Sequence, residues 1–245
     1  MYDTVNDIIN DAALEMGIVE AAATDVFSAT DPGFNQLCAL LKSAGREFMK
    51  KATWQELIEE HTFVTADTDD GVYDLPDDFD RMIPQTHWNR IDTLPLFGPL
   101  SPQDWQYIEG RSLAIQSLYM SFRLRKGKVY VFPNDPVPDG KTIAFEYIRN
   151  TWVTNNTGTV FKVAPTTSGD LILYPPILIK AAIKAKFLEA KGFDSTGVRA
   201  EFNEMWDAAT GQDKIAPIIN AGGGRVGYPY LDGWRNVPDT GYGGA

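Results

Sequence analysis

Apolar residues keep helical spacing at the two ends of this chain and alternate with polar ones through its middle. That change of period restricts the chain to folds in which helices far apart in sequence meet. Each end helix has a single apolar stripe, so none is stable alone. Near the start Val5, Ile8, Ile9, Ala12 and Met16 share a face, with Thr4 placed to cap and Gly17 to stop the helix. "EAAATDVFSATDPG" reads as a loop. A second helix opens at Asp31 and Pro32, carries Phe34, Leu37, Leu41, Ala44 and Phe48, and is expected to reach Leu57.

The pattern turns at His61. "HTFVT", "GVYDL", "YMSFRLR", "KVYVF" and "KTIAFEYI" alternate or are rich in β-branched and aromatic residues, with turn residues between them. Lys126-Gly127 reads as a tight hairpin turn, and Ser101 or Pro102 can open a short helix through Tyr107. Helices return at Pro175 and Pro176. Ile179, Ile183 and Phe187 form one face, Lys180, Lys184, Lys186 and Lys191 the wetter side, and Gly192 the stop. A last helix, capped by Ser195 or Thr196 and carrying Val198, Phe202, Met205, Trp206 and Ala209, runs to Lys214.

The expected fold is therefore α+β. The N- and C-terminal helix pairs (residues 1–59 and 166–216) form a four-helix bundle core. A mostly antiparallel β-rich region (60–165) is inserted between them, and an extended arm (217–245) follows.

Composition narrows function by exclusion. The formal net charge of −11 opposes long-range attraction to nucleic acid. No apolar run reaches the roughly 18 residues of a bilayer span, and "MYDTVNDIIND" lacks the basic and apolar regions of a secretory signal. The lone Cys38 rules out an internal disulfide and a cysteine-built zinc site, and its surroundings, "FNQLCALL", read as a buried thiol in a reducing compartment. His61 and His87 are too few for a histidine metal set. "DTDDG" (Asp67, Asp69, Asp70) and "LPDDFD" (Asp77, Asp78, Asp80) have the composition of turns rather than of a calcium loop. "AGGGRVG" lacks the GK[ST] ending of a phosphate loop, and Asn155 lies in an N-x-T sequon that matters only in a secretory pathway. The tryptophans Trp54, Trp88, Trp105, Trp152 and Trp206 read as packing residues. No catalytic residue, cofactor or metal is expected.

The end of the chain is its most unusual part. "NAGGGRVGYPYLDGWRNVPDTGYGGA" is too rich in glycine and proline to pack on itself, yet carries four aromatic residues. Rings alone do not repay the cost of ordering that much backbone. Such an arm settles against a partner that also takes its backbone hydrogen bonds, or where many copies act together, and is otherwise a loose terminus that touches nothing.

"YDLPDDFDRMIPQTHWNRIDTLPLFGPLSPQDWQ" (Tyr73 to Gln106) resembles the tail adaptor proteins of tailed bacteriophages, also called head-to-tail connector, head-completion or tail accessory proteins, and "TVNDIINDAALEMGI" is similar to their opening. The order of helices, β insertion, helices and arm extends the likeness over most of the chain. The resemblance implies a structural virion protein at the head–tail junction, made in the host bacterial cytoplasm. It forms a ring, typically of twelve copies, that links the portal protein to the tail nozzle or tail tube. Genomic DNA passes through its channel without specific binding, and no membrane is involved. On this reading Tyr228, Tyr230, Trp234 and Tyr242 anchor the arm in portal grooves, while Arg225 and Arg235 meet acidic portal groups. That assignment comes from the chemistry of the arm. Two rivals stand beside it: a tail-associated receptor- or glycan-binding module that uses the β region, and an envelope hydrolase that would depend on residues such as Asp78 or His87.

Overall fold

Thr4 opens the first helix as its sequence suggests. Its hydroxyl accepts the Asp7 N–H at 3.1 Å and donates to the Asp7 carboxylate at 2.6 Å, giving α1, Val5–Glu15. The computed structural model describes residues 2–110 and 120–213, within a unit spanning Met1–Asp213, and these residues are α+β with antiparallel sheets. Asp31 caps α2, Pro32–Lys51, by accepting the Gly33 N–H at 2.7 Å.

This second helix stops short of the expected Leu57. Arg81 donates to the carbonyls of Met49 (2.9 Å) and Ala52 (2.7 Å), and the Trp54 indole donates to Phe48 O (3.0 Å). These side chains satisfy carbonyls at the end of α2, where the chain turns extended at Ala52. A short 3₁₀ turn, Gln55–Leu57, leads into β1, Ile58–Val64, three residues earlier than the reading from His61.

The β region contains two facing sheets. In the first, β1 pairs with β8 (Thr142–Arg149) along its whole length, and β8 also takes β3 (Phe79–Met82) and β4 (Trp88–Asn89). β4 pairs in turn with β5, Leu94–Pro95. In the second, β7 (Lys128–Phe132) lies between β2 (Val72–Asp74) and β6 (Ser121–Arg125). Lys126 and Gly127, at φ 52° and 71°, make the tight β6–β7 turn that their sequence suggests. Leu96, Phe122, Val129, Val131, Ile143 and Phe145 lie in the core of this β region. α3, Pro102–Gly110, covers part of the second sheet, with Trp105 edge-on to Tyr130 and Phe132.

A third, small sheet sets β9 (Val153–Thr154) between β10 (Phe161–Lys162) and β11 (Leu171–Ile172). It holds the start of the chain: Thr4 bridges Leu171, and Val5 N–H donates to Asp170 O at 2.8 Å. α4, Pro176–Lys191, ends at Gly192 in the left-handed region (φ 75°). α5, Thr196–Asp213, starts where Ser195 O accepts the Arg199 N–H, with the Asp194 carboxylate accepting the Thr196 N–H at 3.0 Å.

α4 packs against α1, α2 and α5, and α1 packs against α2. The core that these helices share is completed by residues outside them: Trp54, Trp152, Val153, Ile172 and Tyr174. Trp152 lies directly over the backbone of α2 at Gly45. A Cβ built there would come within 2.3 Å of the indole, so this mid-helix glycine exists to admit the ring. Phe48 stands at the centre of an aromatic cluster with Trp54, Tyr174, Phe202 and Trp206, at ring distances of 4.9 to 6.3 Å.

Candidate functional site

A cleft opens where α5 ends. Pro175 and Pro176 begin α4 on one side, Met205, Ala208 and Ala209 of α5 form the other, and Trp54 and Tyr174 lie beneath. It encloses about 550 Å³ and is mainly apolar, with Tyr2, Glu56, Gln212 and Asp213 also lining it. Burial and the neighbouring Glu56 push the Tyr2 hydroxyl up to about 12, so it stays protonated. Asp213 is spent on structure, accepting the Gln55 N–H at 2.9 Å. The residues of the cleft can receive an apolar side chain.

The residues weighed for chemistry have structural positions. Cys38 is buried with its sulfur 4.0 Å from Val26 O, and burial pushes the thiol up, away from the reactive thiolate. His61 lies against Phe145 and Phe63. His87 is 4% exposed, its ring centre 4.4 Å from that of Phe122, and burial alone holds its pKa down to about 4. Its Nε2 finds no hydrogen-bond partner among the described residues. Asp69 accepts the Ala66 N–H and the Tyr73 hydroxyl, Asp70 the Val72 N–H, and Asp78 the Tyr147 hydroxyl, while Asp80 is paired with Lys50 and Arg81. These acids build turns and joints, as their composition suggests. Among the described residues no three histidine, cysteine or acidic side chains are grouped to hold a metal ion. Asn155 organises the β9–β10 turn, accepting the N–H groups of Thr159 (2.8 Å) and Val160 (3.1 Å).

Two charged arrangements add to the reading by pattern. Asp170, 1% exposed, accepts from the Lys162 ammonium (2.7 Å), from both backbone and hydroxyl of Thr166, and from both of Thr167. Burial alone would raise this carboxyl, but these donors hold it down at about 2. Arg149, equally inward, donates to Glu56 O (2.9 Å) and Glu59 (3.3 Å), and its guanidinium lies 3.8 Å from the ring centre of Phe161. It ties β8 to the turn after α2 and to β10. The acceptors for Arg149 lie about ninety residues away, beyond any local pattern, whereas the donors to Asp170 lie within eight residues of it.

The lysines of α4, assigned to its wetter side, are largely engaged. Lys180 and Lys184 bind Glu15 of α1 at 2.6 and 2.7 Å, and Lys186 binds Glu47 of α2 at 2.6 Å. Among the tryptophans, Trp54, Trp105 and Trp152 are buried and Trp206 joins the aromatic cluster, in keeping with packing roles. Arg225, Tyr228, Tyr230, Trp234, Arg235 and Tyr242, expected to form the docking arm, lie outside the described residues.

The family model for the SU10 adaptor protein matches residues 3–226, nearly the whole chain. The chain belongs to that family and is a phage adaptor protein. No curated protein matches it.

Proposed function

We propose that this adaptor is a structural, non-enzymatic part of the virion, one subunit of a ring that links the portal of the DNA-filled head to the tail nozzle or tail tube. The family match over residues 3–226 carries the reading. In the ring, with twelve copies as the expected number, the helix pairs of residues 1–59 and 166–216 act as a four-helix bundle. Residues 60–165 act as an inserted domain, and residues 217–245 as the arm. The arm's aromatic residues, Tyr228, Tyr230, Trp234 and Tyr242, fill grooves of the portal, and Arg225 and Arg235 meet its acidic groups. Twelve weak anchors become strong when they are held together, because each arm docks at high effective concentration.

Genomic DNA passes through the ring without specific contacts. The net charge of −11 disfavours a grip on phosphate, and carboxylates already occupy three lysines of α4. Among the described residues no helix is long and apolar enough to cross a membrane.

Mass photometry of purified portal rings, mixed with the full-length protein or with a variant ending at Ile219, tests the proposal. The full-length chain adds mass to the portal ring and the shortened chain does not. Equal binding by the two would overturn the role of the arm.

A further inference from the structure

Within this strongly acidic chain one short hairpin is basic. Arg123, Arg125, Lys126 and Lys128 fall within six residues on the β6–β7 hairpin. The register sets Arg123 opposite Tyr130 and Arg125 opposite Lys128. Side chains two apart share a face and directly paired residues share it too, so Arg123, Arg125, Lys128 and Tyr130 all stand on the outer face of the second sheet. Trp105 of α3 covers that face at Tyr130 and Phe132, and it is open at the hairpin end, where Arg125 and Lys128 are exposed. Phe122, Val129 and Val131 turn to the core on the other. Lys128 is paired with Asp74 at 2.8 Å. Arg123, Arg125 and Lys126 have no acidic partner among the described residues, and Arg125 and Lys126 are exposed.

A complementary surface exists on the same chain. α5 fully buries only Phe202. Its outward side carries Glu201, Glu204 and Asp207 among Gly197, Ala200 and Ala208, all of them exposed. These three carboxylates have no cationic partner among the described residues, and acids three apart on a helix repel one another. Small residues between them leave room for long basic side chains to approach. Each patch is costly alone and offsets the other when they meet.

We infer that the β6–β7 hairpin of one copy docks on the outward face of α5 of the next. Two different patches on every chain make a head-to-tail contact, the kind that closes into a ring. The inference rests on the ring proposed above and names the surfaces that would join its subunits. Charge complementarity favours a second copy over nucleic acid, since the counterpart for these bases is present in each subunit.

Sedimentation velocity of the full-length protein tests it, using wild type, Arg123→Glu/Arg125→Glu, Glu201→Arg/Glu204→Arg and an equimolar mixture of the two variants. Wild type self-associates in about 50 mM salt and loses association roughly tenfold near 500 mM, as screening predicts. Each variant alone loses association by about tenfold or more. The mixture recovers it, because each reversed patch then meets an opposite charge on its neighbour, and a merely misfolded variant cannot produce that recovery. Wild type that stays monomeric in low salt, variants that associate like wild type, or a mixture no better than its components would overturn the inference. So would a hairpin variant that loses only affinity for a DNA duplex of about 30 base pairs, which would make the patch a DNA surface. Portal binding by the arm is read separately, so this contact can fail while the adaptor reading stands.

Discussion

The helical core and the β core of this protein are filled by different rules. Around Gly45 the helical core has no spare volume: Trp152 touches the α2 backbone, and Tyr174 donates to Gly45 O at 3.1 Å while stacking on Trp152. In the β region, His87 is buried among aromatic rings, and one of its nitrogens has no partner among the described residues. The first core is sensitive to shape and the second to protonation. Stability of the subunit therefore has one component that pH does not touch and one that it does.

That contrast can be broken by mutation. Trp152→Ala should have the largest effect, about 4 kcal/mol lost in denaturant unfolding, because a fully buried indole leaves a cavity beside a helix that cannot collapse into it. The loss should be the same at pH 5 and pH 7. The second test is acidification. The His87 pKa is about 4 in the folded protein against 6.5 as the reference, so the unfolded chain binds more protons between these values. Stability is complete above pH 6.5 and falls by about 3 kcal/mol as pH drops to about 4, with no further loss from this group below that. His87→Leu should remove that part of the slope, measured as the difference between wild-type and variant unfolding free energies across the window. An unchanged slope would show that the histidine does not set the pH response.

Gly45→Ala comes next, at about 2 kcal/mol, since one methyl must displace the Trp152 ring. Smallest is Lys180→Ala. Its ion pair with Glu15 joins α4 to α1 but is solvent-exposed on the acidic side, so at most about 1 kcal/mol is lost, and less at high salt.

What the sequence discloses follows the range of the interaction. Thr4 and Asp31 cap their helices with N–H groups two or three residues away, and Lys126-Gly127 turns its own hairpin, so each is readable where it stands. The end of α2 is not, because Arg81 and Trp54 decide it from outside the helix. β9, β10 and β11 are two residues each, too short to show alternation, and only their pairing makes a sheet. The space for Trp152 depends on a glycine more than a hundred residues away. Along α5 the apolar stripe places Phe202, Met205, Trp206 and Ala209 at the helical core correctly, and its acidic outer side attracts no notice until the basic hairpin is seen in three dimensions.

The central proposal is that this acidic adaptor works through residues 217–245, docked on the portal. A cryo-electron-microscopy map of the head–tail junction tests it most directly. The account predicts continuous density for residues 220–245 of every copy along the portal, with Tyr228, Tyr230 and Trp234 seated in its grooves. A map that shows this protein at the junction with those residues away from the portal would contradict it.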